Sequence, residues 1–161
     1  MPNKKELFEQ AAAGSKLIQS LDQVLIDSQV FRQKAQTYHW NVRGPLFHSL
    51  HDFFGDIYEE MEGAVDEIAE RVRALGAFPT SDLSAYPERT NLSNPEPDSD
   101  IETGHMISDL LVNNEEIIET LVKAEDAAKQ SEHEAALDFV VGRHDQHSIY
   151  HYKLSAHAHN G

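Results

Sequence analysis

LFHSLHDFFGDIYEEMEGAVDEIAERVRALG, from Leu46 to Gly76, repeats apolar residues at three- and four-residue spacing: Leu46, Phe47, Leu50, Phe53, Phe54, Ile57, Met61, Ala64, Val65, Ile68, Val72 and Leu75. That period is the period of a helix with one buried face, and it persists for about thirty residues. Gly76, with Pro79 beyond it, supplies the stop, and Gly44 and Pro45 separate the stretch from whatever precedes it.

Upstream, Leu7, Ala11, Leu17, Ile18, Leu21, Val24, Leu25, Phe31 and Ala35 keep the same spacing, which predicts a first helix from Glu6 to about Val42. Downstream, TSDLSAYPERTNLSNPEPDSD (Thr80–Asp100) holds three prolines among Ser, Asn and Asp. It reads as a long connection with room for one short helix at SDLSAY, and a crossover of that length is expected to join parallel neighbours. A third helix is expected from about Ile101 to Lys129, with Asp98, Ser99 or Asp100 as its N-cap. A fourth is expected from near Glu132, carrying Ala135, Ala136, Phe139, Val140, Ile149, Tyr150 and Leu154. Four long helices, no strand and one long middle connection make an all-α chain: a four-helix bundle of ferritin-like connectivity. At 161 residues and 40% hydrophobic content, residues 1–161 are expected to form one domain.

The chain carries 28 acids against 13 lysines and arginines, for a net charge of −15, which suits cations as partners and repels polyanions. It has no cysteine, so any metal site must be built from His, Asp and Glu. The N-terminus lacks an apolar core of the secretory kind and no run of eighteen apolar residues occurs, so a soluble cytoplasmic protein is expected, with no membrane partner. Half of the ten histidines lie beyond Arg143, where falling pH through about 6.5 would add positive charge.

His39 and His51 flank the Gly44-Pro45 turn, so two antiparallel helices can bring them together. Asp66 and Glu70, at i and i+4, share one face of the second helix. With His51 at zero, the apolar stripe centres near roughly −75° and the two acids near roughly +60° and +100°, pointing away from the bundle's own core. His51 and Asp66 are also separated by roughly 22 Å along the axis. They cannot hold one ion within one chain, but two chains paired about a two-fold axis can bring the histidine end of one to the acid end of the other. Taken singly, the same residues fit a solvated helix face or a helix cap.

HWNVRGPLFHSLH (His39–His51) followed by VDEIAERVRALGAFP (Val65–Pro79) resembles the signature of the Dps family, the mini-ferritins named as DNA-binding proteins from starved cells. The helix plan fits that family over essentially the whole chain. The resemblance implies a short extra helix in the middle connection, a homo-oligomer of twelve copies built on two-fold dimers, and a ferroxidase centre at each two-fold interface. There His39 and His51 match the histidine ligands, and Asp66 and Glu70 match the acid ligands from the partner subunit. It further implies iron, Fe(II) and Fe(III), as the metal, oxidation by hydrogen peroxide, and storage of ferric mineral in the cavity. Imidazole and carboxylate donors suit that chemistry, since the oxygens favour the harder Fe(III) product.

Many members carry an acid four positions after the second histidine; here Gly55 stands there, with Asp56 beside it as a candidate substitute. Trp40 matches the tryptophan adjoining the site, where the resemblance implies interception of radicals, and where an aromatic packed at the interface is the alternative. An iron-entry pore near the start of the last helix points by position to Glu134 and Asp138, with Glu125 and Asp126 behind them. His144, His147 and His151 lie on one helical face, followed by His157 and His159 in the tail; they read as surface and packing residues or as a secondary metal site. Glu102-x-x-His105 resembles an in-bundle iron motif, but it has no second copy. The N-terminus offers only Lys4 and Lys5 as tail cations, so DNA binding is not expected at neutral pH, and nucleoid localisation only if DNA is bound.

Overall fold

The computed structural model describes residues 4–93 and 100–158, and the regular structure in them is entirely helical. The helices are α1 (Lys4–Asn41), α2 (Phe47–Ala74), α3 (Tyr86–Arg89), α4 (Thr103–Gln130) and α5 (Glu134–Ala158). The side chains of Lys4, Lys5, Leu7 and Ala11, and residues Asp98, Ser99 and His159, lie outside what is described.

The α1–α2 hairpin turns at Gly44, whose φ of +92° a residue with a Cβ adopts only with strain. Leu17, Leu21, Val24, Leu25, Phe31 and Ala35 of α1 are buried against Leu50, Phe54, Ile57, Met61, Ile68 and Val72 of α2, as their spacing predicts. Removing Phe54, which is fully buried, would cost about 3–5 kcal/mol. α2 stops in a Schellman turn: Ala77 N–H donates to Val72 O at 3.2 Å and Gly76 N–H to Arg73 O at 2.9 Å. α4 stops in the same way without a glycine. Glu132 takes the left-handed position at φ +53°, and His133 N–H donates to Ala128 O at 3.0 Å. That turn occupies Glu132 and His133, so α5 starts at Glu134, two residues past Glu132; His133 Nδ1 then accepts the Ala136 N–H at 3.1 Å and caps it.

The connection is tied down by polar residues of α1 that the apolar pattern does not reveal. Asp22 accepts from Thr80 N–H at 2.8 Å and from Arg89 at 3.0 Å. Asp27, fully buried, accepts from Thr90 and Thr120 hydroxyls at 2.8 and 2.9 Å and from Asn91 N–H at 2.9 Å. Lys34, also buried, donates to Ser93 O at 2.8 Å and pairs with Asp109 at 2.9 Å. The short helix is not at SDLSAY. There Asp82 accepts from Ser84 N–H and Oγ at 2.9 and 2.7 Å and forms a turn, and the helix begins at Tyr86 with Pro87 in its first turn, where no amide donor is needed.

The connection returns the chain to the Gly44 end, where Arg43 pairs with Asp100 and Thr103 Oγ donates to Arg43 O at 3.2 Å. Asp100 is therefore not the cap of α4; that position belongs to Glu102, whose side chain makes no capping bond. α4 runs parallel to α2, but the two are diagonal rather than neighbours: α1 packs on α2 and α4, and α5 packs on α4 and more loosely on α2. Large polar groups bridge the α2–α5 seam. Glu60 receives the Arg143 guanidinium and the Tyr150 hydroxyl, the latter at 2.6 Å, and Arg71 lies over the Phe139 ring at 4.1 Å. Burial, followed by the Glu60 contact, holds the Tyr150 phenol well above its ordinary pKa. The buried seam of α5 is Ala136, Val140, Arg143, His147, Tyr150 and Leu154, whereas Ala135 and Ile149 face outward. Among the described residues no helix is long and apolar enough to cross a membrane.

Candidate metal centre

His39 lies in the last turn of α1, where main-chain carbonyls run out of intrahelical donors. His51 Nδ1–H donates to His39 O at 2.8 Å, and His39 Nδ1–H donates to His51 O at 2.7 Å. A carbonyl can only accept, so both rings carry their proton on Nδ1 and both Nε2 atoms present a lone pair, the tautomer a metal requires. The two rings stack at 3.8 Å between centroids, with Phe47 stacked on His51 at 4.9 Å and Tyr58 edge-on to His39 at 5.2 Å. Sequence reasoning found the histidines and missed their supports; Phe47 four residues before His51 was the available signal.

Asp66 and Glu70 are exposed on α2, with Glu62 one turn before Asp66. Beside Asp66 an open groove of about 460 Å³ is lined by Leu25, Val65, Ala69, Pro79 and Tyr86 together with the polar Gln29, Arg32, Glu62, Thr80 and Ser81. Among the described residues of one chain, no three His, Asp or Glu side chains come together in a way that would hold a metal. The histidine pair straddles the α1–α2 turn, with His51 near the start of α2, and the acid pair lies farther along the same continuous helix. At the histidine end Trp40, Leu46 and Phe47 are 61, 52 and 43% exposed.

The ferritin-like domain model matches residues 18–160. A DNA protection during starvation protein of Brevibacillus brevis is 32% identical over 128 residues, covering 76% of this chain and 85% of that protein. A low temperature-induced protein of Nostoc sp. is 33% identical over 132 residues, 81% of this chain and 73% of its own length. The chain is a Dps-type member of the ferritin-like family. The crystal structure of a Dps protein from Vibrio cholerae, described as belonging to a broad superfamily of ferritin-like diiron-carboxylate proteins, superposes with a TM-score of 0.84 at 25% identity over 90% of each chain.

In this Dps-type chain the remaining candidates are placed as follows. Asp56 is exposed, next to the buried Gly55 that faces His39. Glu134 and Asp138 are exposed at the start of α5. Behind them, Glu125 is engaged with His144 at 2.6 Å and with Lys129 at 3.7 Å, and Asp126 with Lys129 at 3.8 Å. The His144, His147, His151 stripe does not converge on one point. His147 is turned into the core, where its Nδ1–H donates to Asn114 Oδ1 at 2.7 Å and Asn114 returns a bond to His147 O at 2.9 Å. Burial first, then the Arg143 and His144 charges, push its pKa down to about 3, so it is neutral throughout the physiological range. His151 leans on Glu115 at 3.5 Å, and His157 stacks on Phe53 at 5.4 Å. These side chains join α5 to α4 and α2.

Proposed function

We propose that this protein is a ferroxidase and iron-storage mini-ferritin, in which the histidine pair of one subunit and the acid pair of another form each iron site. The observation that carries the reading is the reciprocal bonding of His39 and His51, which leaves the Nε2 lone pairs of two stacked rings with no carboxylate of the same chain to complete a donor set. A two-fold partner supplies Asp66 and Glu70, and the exposed Trp40, Leu46 and Phe47 beside the histidine pair seat against the apolar residues of that partner's groove next to Asp66. Twelve such chains enclose a cavity for the mineral.

Fe(II) is the substrate. Imidazoles hold it, and carboxylates make oxidation to Fe(III) easier by favouring the harder ion. Two Fe(II) each give one electron to hydrogen peroxide; its O–O bond breaks and, with two protons, two waters form without free hydroxyl radical. Trp40, exposed beside His39, is placed to be oxidised in place of other targets when an electron goes astray. Glu134 and Asp138 serve as the entry route for Fe(II), and with a net charge of −15 the protein does not retard plasmid DNA at pH 7.5 and physiological salt.

Co-assembly tests the two-chain site. A His39→Ala/His51→Ala chain and an Asp66→Ala/Glu70→Ala chain are each inactive when assembled alone. In equal mixture half of the dimers are mixed, each with one rebuilt site and one doubly defective site, so peroxide-driven Fe(II) oxidation returns to roughly a quarter of wild type. Verified mixed shells without recovery would rule out the arrangement.

A further inference from the structure

Gly14, Gly55, Gly63, Gly104 and Gly142 lie within helices, where glycine costs about 1 kcal/mol relative to alanine. At four of them a Cβ would meet nothing within 4 Å. At Gly55 it would stand 3.1 Å from His39 Nδ1 and 3.3 Å from His39 Cε1. The His39 ring therefore lies directly on the α2 backbone, in the space a side chain at 55 would fill, and from there its Nδ1–H reaches His51 O at 2.7 Å.

The surroundings of both rings have a common property. The three- and four-residue neighbours of His51 are Phe47, His48, Phe54 and Gly55, and those of His39 are Ala35, Gln36, Val42 and Arg43. None is a carboxylate. Phe47 on one side of His51 is a stacked ring, and Gly55 on the other is backbone under His39. Oxygen donors must come from the acid half-site, whose two carboxylates with two imidazoles make four donors, the number that suits one small divalent cation.

We infer that Gly55 is a positioning residue that seats His39 against α2, and that the resulting half-site of two nitrogens limits each inter-subunit site to one tightly held divalent cation. This rests on the two-chain site proposed above. A second Fe(II) then joins from solution at each turnover instead of residing beside the first.

Anaerobic Co(II) binding to the assembled protein, followed by calorimetry and visible absorption, tests this without iron oxidation. Wild type is expected to take up one Co(II) per chain tightly, and Gly55→Ala to bind at least ~10-fold more weakly, as when a ligand's supporting contact is lost. Gly63→Ala, in the same helix with open space, should keep wild-type affinity and melt slightly higher. Two tight Co(II) per chain, or equal affinities for the two alanine variants, would overturn the inference. If Gly55→Ala fails to fold, the pair His39→Ala and His39→Ala/Gly55→Ala decides: with the ring gone, alanine at 55 should be tolerated and stabilising, and a loss of stability there overturns the steric role. Unchanged Co(II) binding in Asp66→Ala/Glu70→Ala would instead sink the two-chain site, while the difference between the two glycine variants would still report on His39.

Discussion

His39 and His51 at the α1–α2 turn commit their Nδ1–H groups to each other's main-chain carbonyls, whereas His144 and His147 on α5 commit theirs to Glu125 and Asn114 of α4. The rings carry the same proton in both places; what differs is what lies beyond it. At the turn the rings are half-buried beside exposed aromatics, and their Nε2 atoms take no part in those bonds. On α5 the central ring is enclosed by Phe31 and Tyr150, with centroids at 5.8 and 5.5 Å, and its neighbours lean on acids to either side. Histidine density therefore does not distinguish the two regions; what encloses each ring does.

Removing single rings should sharpen this contrast most. His51→Ala is expected to lower the rate of peroxide-driven Fe(II) oxidation at least ~100-fold, because it removes a donor outright and also takes away the ring stacked on His39. His144→Ala and His151→Ala should leave that rate within a factor of about two, since neither approaches the turn. Stopped-flow absorbance of ferric product reads both, and an equal loss in the His144→Ala protein would erase the distinction.

Acid should separate the two sets next. His147 has a folded pKa of about 3 against an ordinary value of 6.5, so below pH 6.5 the unfolded chain takes up a proton that the folded chain refuses. Its contribution to stability is complete above pH 6.5 and is lost as pH falls toward 3, on the order of 2 kcal/mol by pH 5. Urea midpoints at pH 7.5 and pH 5 should show that loss in wild type and not in His147→Gln, which keeps an amide donor for Asn114. An equally steep loss in the variant would mean that the acid sensitivity arises elsewhere.

The smallest effect concerns a third use of the same side chain. His133 Nδ1 accepts the Ala136 N–H, which requires the opposite tautomer from His39 and His51. His133→Ala should cost about 1 kcal/mol of stability by uncapping α5, and His133→Asn should recover most of it, with Fe(II) oxidation unaffected by either. Thermal melts of the three proteins check this; a change in oxidation rate would show that His133 has a further role.

Helix positions were legible because burial imposes a period on apolar residues, and α1, α2 and α4 follow it closely. The α5 seam was only half legible. Its buried positions pass through Arg143 and His147, which are polar by type and are buried because Glu60 and Asn114 meet them from other helices. The placement of the short helix depended on which connection residues Asp22, Asp27 and Lys34 would capture, and the start of α4 on the contacts of Asp100 and Thr103 with Arg43. No local pattern encodes those captures, since the partners are far apart in the chain.

From the sequence alone came the all-α bundle, the pairing of His39 with His51 across the turn, and the outward direction of Asp66 and Glu70. All three follow from helical geometry and the Gly44-Pro45 break. Only the tertiary structure decided that α2 and α4 are diagonal, that Gly55 is the floor beneath His39, and that both site histidines hold their protons on Nδ1. Those outcomes depend on which atoms of two different helices come within hydrogen-bonding or van der Waals distance, and spacing along one helix does not specify that.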